Sequence, residues 1–584
     1  LTKTRYWVGS SYHDVQYTYD AAGRTTRADD WLGNDGLQYA YDAAGRLSYI
    51  REYVSSRQVS YTYDAAGRVA TLTDHTGAVV SYTYTDTGRV ASVTAPGGKV
   101  WSFAYNALGM PTQYTHPNNT RTEYAYDTRH RLTGITHRDL ANNAVLDSLT
   151  YTLNAGSEIT RMDQADGTYW WYGYGGRGRL TGAIRRNASN QIVDWYVYTY
   201  DAADNLTQMG KYNAPSNTTD MWVYAYNNAN EQTGMTLNGG TPETRTYNAW
   251  GRLATRAQGS YAASYAYRYG GRLYSQTSNF PGEGNVTLQY RGDGRLYGRT
   301  DASTSVRYRY DAGWNPLVET DASGNVQRTN VFMPGSSRAP LLMSSLGTLG
   351  AGTPMYAYRD HLDSVRRWRI SNKNSLQANE FDPYGKLYAG TTYFHPAVFA
   401  LHPYDPAMAA YRAPYRNYSP TMARWMTRDP LGMVDGPNVY AYLRSGVNRQ
   451  RDLLGFGPGT PGGGGGGWGR LPFPPGSPVP SGPDCYNQEP KSGDSGVCCE
   501  YAAGETYMGF NARCVCENAG ETPWDQFVRS CLSCMHKKGR SNSVSHYLCY
   551  AAATLRYGPK DSAEEVADIL SRLTLKCFFG KPDE

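Results

Sequence analysis

Aromatic and β-branched residues alternate with small or polar ones in short runs along most of the chain, and many runs end in Asp-x-x-Gly or a close variant. Tyr17-Thr18-Tyr19-Asp20-Ala21-Ala22-Gly23-Arg24 returns as Tyr39-Ala40-Tyr41-Asp42-Ala43-Ala44-Gly45-Arg46 and as Tyr61-Thr62-Tyr63-Asp64-Ala65-Ala66-Gly67-Arg68, a period of 22 residues. Looser copies carry Tyr84, Tyr105, Tyr126, Tyr151, Tyr174, Tyr200, Tyr226, Tyr247, Tyr269, Tyr290 and Tyr310, giving fourteen units before the pattern changes. Alternation with a period of two predicts strands, Asp-x-x-Gly predicts a turn, and Arg-Leu or Arg-Val opens the next strand. Tyr17 and Tyr19, like Tyr61 and Tyr63, are two apart and are expected on one face, as a ladder of rings when units stack. In the turn, Asp bonds backbone N–H groups and Gly supplies a positive φ. One hairpin cannot bury its aromatic face, but many stacked in register can, and a long sheet must twist and curl. The expected fold is mainly β: a long antiparallel sheet of stacked hairpins coiled into a spiral shell, followed by a small cysteine-rich, partly helical domain. A propeller, with blades of about 40 residues, is the competing architecture.

Composition supports strands and tight turns: 53 Tyr and 63 Gly stand among 584 residues. No run approaches the ~18 apolar residues of a membrane span. The 57 Lys and Arg against 51 Asp and Glu give a net charge of +6, but the basic residues are spread over the repeats. Solvated turn arginines account for them, so neither a nucleic-acid nor a membrane surface is expected. The chain begins at Leu1 without a basic-then-apolar leader, as expected of a processed chain or of a fragment of a longer one.

Tyr63-Asp64-Ala65-Ala66-Gly67-Arg68 resembles the motif of the YD-repeat, or RHS-repeat, family, known from bacterial polymorphic toxins, the C components of insecticidal toxin complexes and the adhesion proteins called teneurins. The resemblance extends over residues 10–456 and implies a β-cocoon able to enclose a C-terminal polypeptide. Further along, Tyr358-Arg359-Asp360-His361-Leu362-Asp363-Ser364-Val365-Arg366 resembles the element that opens the family's associated core, with Asp363 where Gly is expected. Phe381-Asp382-Pro383-Tyr384-Gly385 looks like one more repeat turn. Arg416-Asn417-Tyr418-Ser419-Pro420-Thr421-Met422-Ala423-Arg424-Trp425 matches the next core motif, with Ala423 in place of Gly, and Asp429-Pro430-Leu431-Gly432 and Asn438-Val439-Tyr440-Ala441-Tyr442 follow it. The closing motif is degraded: 446–456 keeps Asp452 and Gly455 but loses both prolines and the leading Asn.

In members that cleave themselves, paired carboxylates form an intramolecular aspartic-protease-like site. The resemblance carries these roles to Asp429 and Asp452, with Arg424 expected to hold one carboxylate and cleavage expected next to Gly455 or Phe456. Two carboxylates brought together would leave one protonated, to polarise the scissile carbonyl, while the other activates water. The plain alternative is that both aspartates cap turns.

The nine cysteines all fall between Cys485 and Cys577. This divides the chain into a repeat shell (1–331), an associated core (332–456), a Gly/Pro-rich linker (457–483) and a cysteine-rich module (484–584). The cysteines read as a disulfide framework with one thiol over. Cys514, Cys516, Cys531 and Cys534, with His536 and His546, permit zinc, and Cys531-x-x-Cys534 permits redox chemistry, but disulfides are the preferred reading and no metal or cofactor is expected. Helix signals run from Thr522 to Cys534, over 543–557, and from Ser562 to Leu573. The functional expectation is a secreted or cell-surface shell that encloses or presents its own C-terminal module, in toxin delivery or intercellular competition. Expected partners are that module as cargo, an immunity protein, secretion machinery or a cell-surface receptor. The alternative is a structural or adhesion protein exposing a disulfide-stabilised binding domain.

Overall fold

The computed structural model describes residues 3–455 apart from 9–10, 30–35, 54, 269–270, 336–338, 391–394, 397, 434–435, 444–445 and 448–450. Phe456, the linker and the cysteine-rich module with its expected helices lie outside the described residues. Thirty-five strands form one sheet, each paired antiparallel to the next from Lys3–Val8 to Leu387–Gly390. The ladder passes through Phe332 unbroken, and the Val326–Phe332 strand pairs with Leu341–Leu346. Five short strands, from Val398–Phe399 to Arg424–Trp425, make a second sheet. No α-helix occurs among the described residues. One continuous ladder is incompatible with separate propeller blades, so the side-by-side stacking expected from the 22-residue period is the arrangement adopted.

Each unit is closed by its turn. Asp20 Oδ1 accepts the N–H groups of Ala22 and Arg24, each at 2.9 Å, and Oδ2 accepts Arg24 Nε at 2.7 Å. The Arg24 backbone N–H, ahead of its guanidinium, holds this carboxyl below the usual range. Asp42, Asp64 and Asp127 repeat the geometry. Gly67 stands at φ +79°, a left-handed backbone that a side chain disfavours.

Adjacent units are joined by the second tyrosine of each pair. Tyr41 donates to Thr25 O at 2.8 Å, Tyr63 to Leu47 O at 2.6 Å and Tyr84 to Val69 O at 2.8 Å. The arginine of the preceding turn lies over the same ring, 4.5 Å from its centre at Tyr41 and Tyr63 and 4.4 Å at Tyr84. The two tyrosines of a pair are therefore not equivalent. A register shift falls just before the second one, at Thr18/Tyr19, Ala40/Tyr41, Thr62/Tyr63 and Thr83/Tyr84. Such a bulge re-aims a side chain. Tyr17 is 5% exposed and Tyr19 38%. In the unit that spacing puts at Tyr269, the shift falls between Ala266 and Tyr267, so Tyr267 holds this position.

The first tyrosines link segments far apart in sequence. Tyr17 donates to Gly292 O at 3.0 Å, and Tyr61 Oη accepts the Ala312 N–H at 2.7 Å. Further along, the Thr120 and Tyr358 hydroxyls meet, Arg366 Nη2 donates to Gln164 Oε1, and the Tyr200 and Tyr384 hydroxyls meet. Both partners advance together along the chain, as in a strip that winds over itself; a fold-back would run one of them in reverse. The cores are shared accordingly. Val15, Tyr39, Val59 and Trp101 pack with Leu317, Val331, Met343 and Tyr356, whereas Tyr151, Trp170 and Tyr198 pack with Tyr384, Tyr418 and Trp425.

Trp101 is fully buried, so Trp101→Ala is expected to cost about 3–5 kcal/mol in urea unfolding. Tyr63→Phe, which removes one inter-unit hydroxyl, is expected to cost about 1 kcal/mol. Equal losses from the two variants would show that burial does not dominate the core.

Candidate functional site

The last described turns bring Asp429 and Asp452 to one arginine, Arg416. Asp429 opens the Asp429-Pro430-Leu431-Gly432 turn: its Oδ1 accepts the Leu431 N–H at 2.8 Å, and Gly432 N–H donates to Asp429 O. Asp452 holds a related turn in which its Oδ1 itself accepts the glycine N–H, that of Gly455, at 2.8 Å, with Gly455 at φ +81°. In both turns the second carboxylate oxygen is left for the arginine. Arg416 Nη2 lies 2.7 Å from Asp429 Oδ2 and 2.9 Å from Asp452 Oδ2. All three side chains are buried.

Aromatic rings wall this triad. The Arg416 guanidinium lies 4.4 Å from the centre of the Trp425 ring, and Tyr442 packs on Tyr418 with ring centres 4.1 Å apart. Little water competes there, which strengthens the ion pairs. With both aspartates ionised the triad carries one uncompensated negative charge. Burial pushes the Asp429 carboxyl up, Asp452 adds to this, and Arg416 opposes it. Burial thus favours the neutral form of Asp429, beside a second carboxylate.

Arg424, expected to hold a carboxylate, is directed elsewhere. Its Nη2 donates to Asn230 O at 2.6 Å, and its guanidinium sits between the rings of Tyr226 and Tyr440, at 5.0 and 4.8 Å. Strand alternation explains the exchange. Trp425 pairs with Tyr418 and faces Arg416, so the neighbouring Arg424 must face the opposite way, toward the repeat turns. The spacing of Arg416 and Tyr418, two apart, was the available signal. His402 had no motif to reveal it: its Nε2 donates to Asp452 O at 2.8 Å, and Tyr415 N–H donates to Leu454 O at 3.0 Å, fixing the final turn. Ala423 and Asp363, where Gly was expected, keep left-handed backbones at φ +54° and +58°. Asp363 compensates by pairing with Arg359 at 2.7 Å and with Arg451.

A further buried carboxylate lies in the repeat-like turn at Asp382. Its Oδ1 accepts the N–H groups of Tyr384 and Lys386, at 3.0 and 2.8 Å, and burial pushes it up to about 6. Among the described residues no three His, Cys, Asp or Glu side chains gather as metal ligands, and the cysteines considered for zinc lie outside them.

Sequence and fold comparisons agree on the repeat. The family model described as Teneurin YD-shell matches residues 3–111, and that described as RHS Repeat matches 105–139. No curated protein matches the sequence. A variant Photorhabdus luminescens Tc holotoxin pore containing TccC3 superposes with a TM-score of 0.62 at 18% identity, over 78% of this chain and 26% of that one. A TcdB2-TccC3-TEV crystal structure gives a TM-score of 0.61 at 17% identity, over the same 78% and 26%. The chain spans about a quarter of the length of these structures, and the likeness is one of fold.

Because Asp382 rises from 3.8 to about 6 on folding, its proton is bound more tightly in the folded chain. The Asp382 contribution to stability is expected to fall, by about 3 kcal/mol, as pH rises between those two values, and then to level off. Asp382→Asn should flatten that segment of a urea-midpoint profile against pH. Arg416→Ala strands two buried carboxylates and is expected to cost about 3–5 kcal/mol, part of which returns when Asp429→Asn and Asp452→Asn are added.

Proposed function

We propose that this YD/RHS-repeat protein is a shell that carries its own C-terminal module, 484–584, across the linker 457–483, in toxin delivery or intercellular competition, and that the shell's last turns cut the chain next to Gly455 or Phe456. A secreted or cell-surface location and an immunity partner for the module go with this reading. Support for cleavage comes from one observation: Asp429 and Asp452 share a buried arginine where the described chain ends, and Asp452 itself holds the Gly455 N–H.

The chemistry follows from the asymmetry of the pair. Protonated Asp429 donates to the carbonyl oxygen of the scissile peptide. Water adds to the carbonyl carbon and gives its proton to the Asp452 carboxylate. The C–N bond then breaks as that proton passes to the leaving nitrogen, leaving a carboxyl and an amine. Arg416 orients both groups and limits the rise at Asp429. His402, by fixing the Asp452 carbonyl, acts as a positioning residue.

Full-length chain left folded for a day and then weighed under denaturing conditions is expected to give two fragments that divide at Gly455 or Phe456. Asp429→Asn and Asp452→Asn are each expected to slow this at least ~100-fold. An intact wild-type chain would return both aspartates to turn capping. For the module, growth arrest of cells exporting 481–584 into an oxidising compartment supports a toxin; inert binding to cell surfaces supports adhesion instead.

A further inference from the structure

A partly open cleft with an internal volume of about 110 Å³ lies between the last regular repeats and the small second sheet. Its apolar wall is made by Tyr290, Tyr308, Tyr310, Trp314, Phe332 and Pro414. Two features mark this wall as more than a packing gap.

The first is Trp314. The Asp311 turn repeats the hydrogen bonds of the Asp64 turn: Trp314 N–H donates to Asp311 O as Gly67 N–H does to Asp64 O, and Asn315 N–H donates to Asp311 Oδ1 as Arg68 N–H does to Asp64 Oδ1. Trp314 therefore occupies the glycine position and is held at φ +64°. A left-handed backbone there is disfavoured for a non-glycine residue. In exchange the turn places an indole on the cleft wall, its ring centre 5.4 Å from that of Tyr415. The second feature is Asn330, which also lines the cleft and is 4% exposed. Its Nδ2 donates to Pro316 O at 2.8 Å, while its Oδ1 has no donor. A buried acceptor without a donor is costly, and an incoming N–H would relieve it.

The chain itself brings a matching occupant to this place. Tyr415 N–H holds Leu454 O, and a Cβ added to Gly455 would stand 3.5 Å from Ala413 Cβ. Ala413 and Pro414 line the cleft, so the chain leaves the last described turn beside it. Leu471-Pro472-Phe473-Pro474-Pro475 begins 16 residues beyond Gly455, after the glycine run 462–467. By its Gly-rich composition, a tether of that length would span about 22 Å on average, enough to turn back. Five residues of such composition favour the polyproline II helix, about 15 Å long, whose rings dock on aromatic clefts and whose backbone groups are free to bond.

We propose that this cleft binds the chain's own segment 471–475 as a polyproline II strand. Proline and phenylalanine rings lie against Trp314 and the tyrosines, and one backbone N–H of the segment reaches Asn330 Oδ1. The linker is then anchored at a second point beyond Gly455, whether or not the chain is cut there.

Arg470 is the sole Lys or Arg between Gly457 and Pro490, so trypsin reports on this segment alone. The full-length chain is digested briefly and the cut after Arg470 is followed by mass spectrometry, which separates it from one at Gly455. Replacing Pro472, Phe473 and Pro474 together by Ser is expected to speed the cut about tenfold, the protection given by a ~0.1 mM site under a millimolar effective concentration. Trp314→Gly, which restores the glycine of the repeat turn, should speed it equally, and the combination should add nothing. A synthetic 471–480 peptide, which carries no trypsin site, at millimolar concentration should accelerate the cut in the wild type and leave the variants unchanged. A wild-type rate equal to that of the serine variant, or one indifferent to the peptide, overturns the proposal.

Discussion

The strip coheres through a hydroxyl that reaches back one unit. The second tyrosine of each pair donates to a carbonyl beside the preceding turn while that turn's arginine covers its ring. The bulge before this tyrosine makes the contact possible, because it swings the ring out of the core and over the arginine. Unit after unit repeats the same short-range bond, so thirty-five strands can be added without any long loop to close. The first tyrosine, relieved of that task, is left to fill the interior and to reach the next wind.

The geometry at the end of the chain depends on this winding. Residues 398–455 do not build a core of their own; they lie against the turns of earlier repeats. Asn438 Nδ2 donates to Ala203 O at 2.9 Å, Tyr440 to Gly251 O at 2.7 Å and Arg424 to Asn230 O at 2.6 Å. Each tie uses a turn carbonyl of an earlier repeat, so the repeat turns receive this last part of the described chain. Asp429 N–H donates to Val439 O at 2.9 Å, between the Asn438 and Tyr440 ties.

A single guanidinium between two buried carboxylates is an unbalanced arrangement. Two arginines would neutralise the pair, and none would force a proton onto one member with little control over which. With Arg416 alone, each carboxylate also accepts one backbone N–H, so the turns do not tell the two apart. Asp429 accepts one backbone N–H and is pushed up by burial. Arg424, which could have supplied the second charge, is spent on Asn230 and two aromatic rings.

Local chemistry repeated along the chain was enough to read the fold. Asp-x-x-Gly-Arg closes a turn within five residues, and alternation sets the faces of the strands, so the sheet, its pairing and its need to curl were legible from residues such as Tyr17, Asp20 and Gly23. The motifs around Asp429 and Asp452 likewise carried the two carboxylates. Three things needed the tertiary structure. The bulge that separates Tyr19 from Tyr17 is a property of paired strands, invisible in one. The choice of Arg416 over Arg424 follows from which face of a two-residue strand meets Trp425. Asp382, written like any repeat turn, becomes a perturbed acid only because the winding buries it. In each case the deciding partner lies on another strand or another wind, and a linear pattern records only neighbours along the chain.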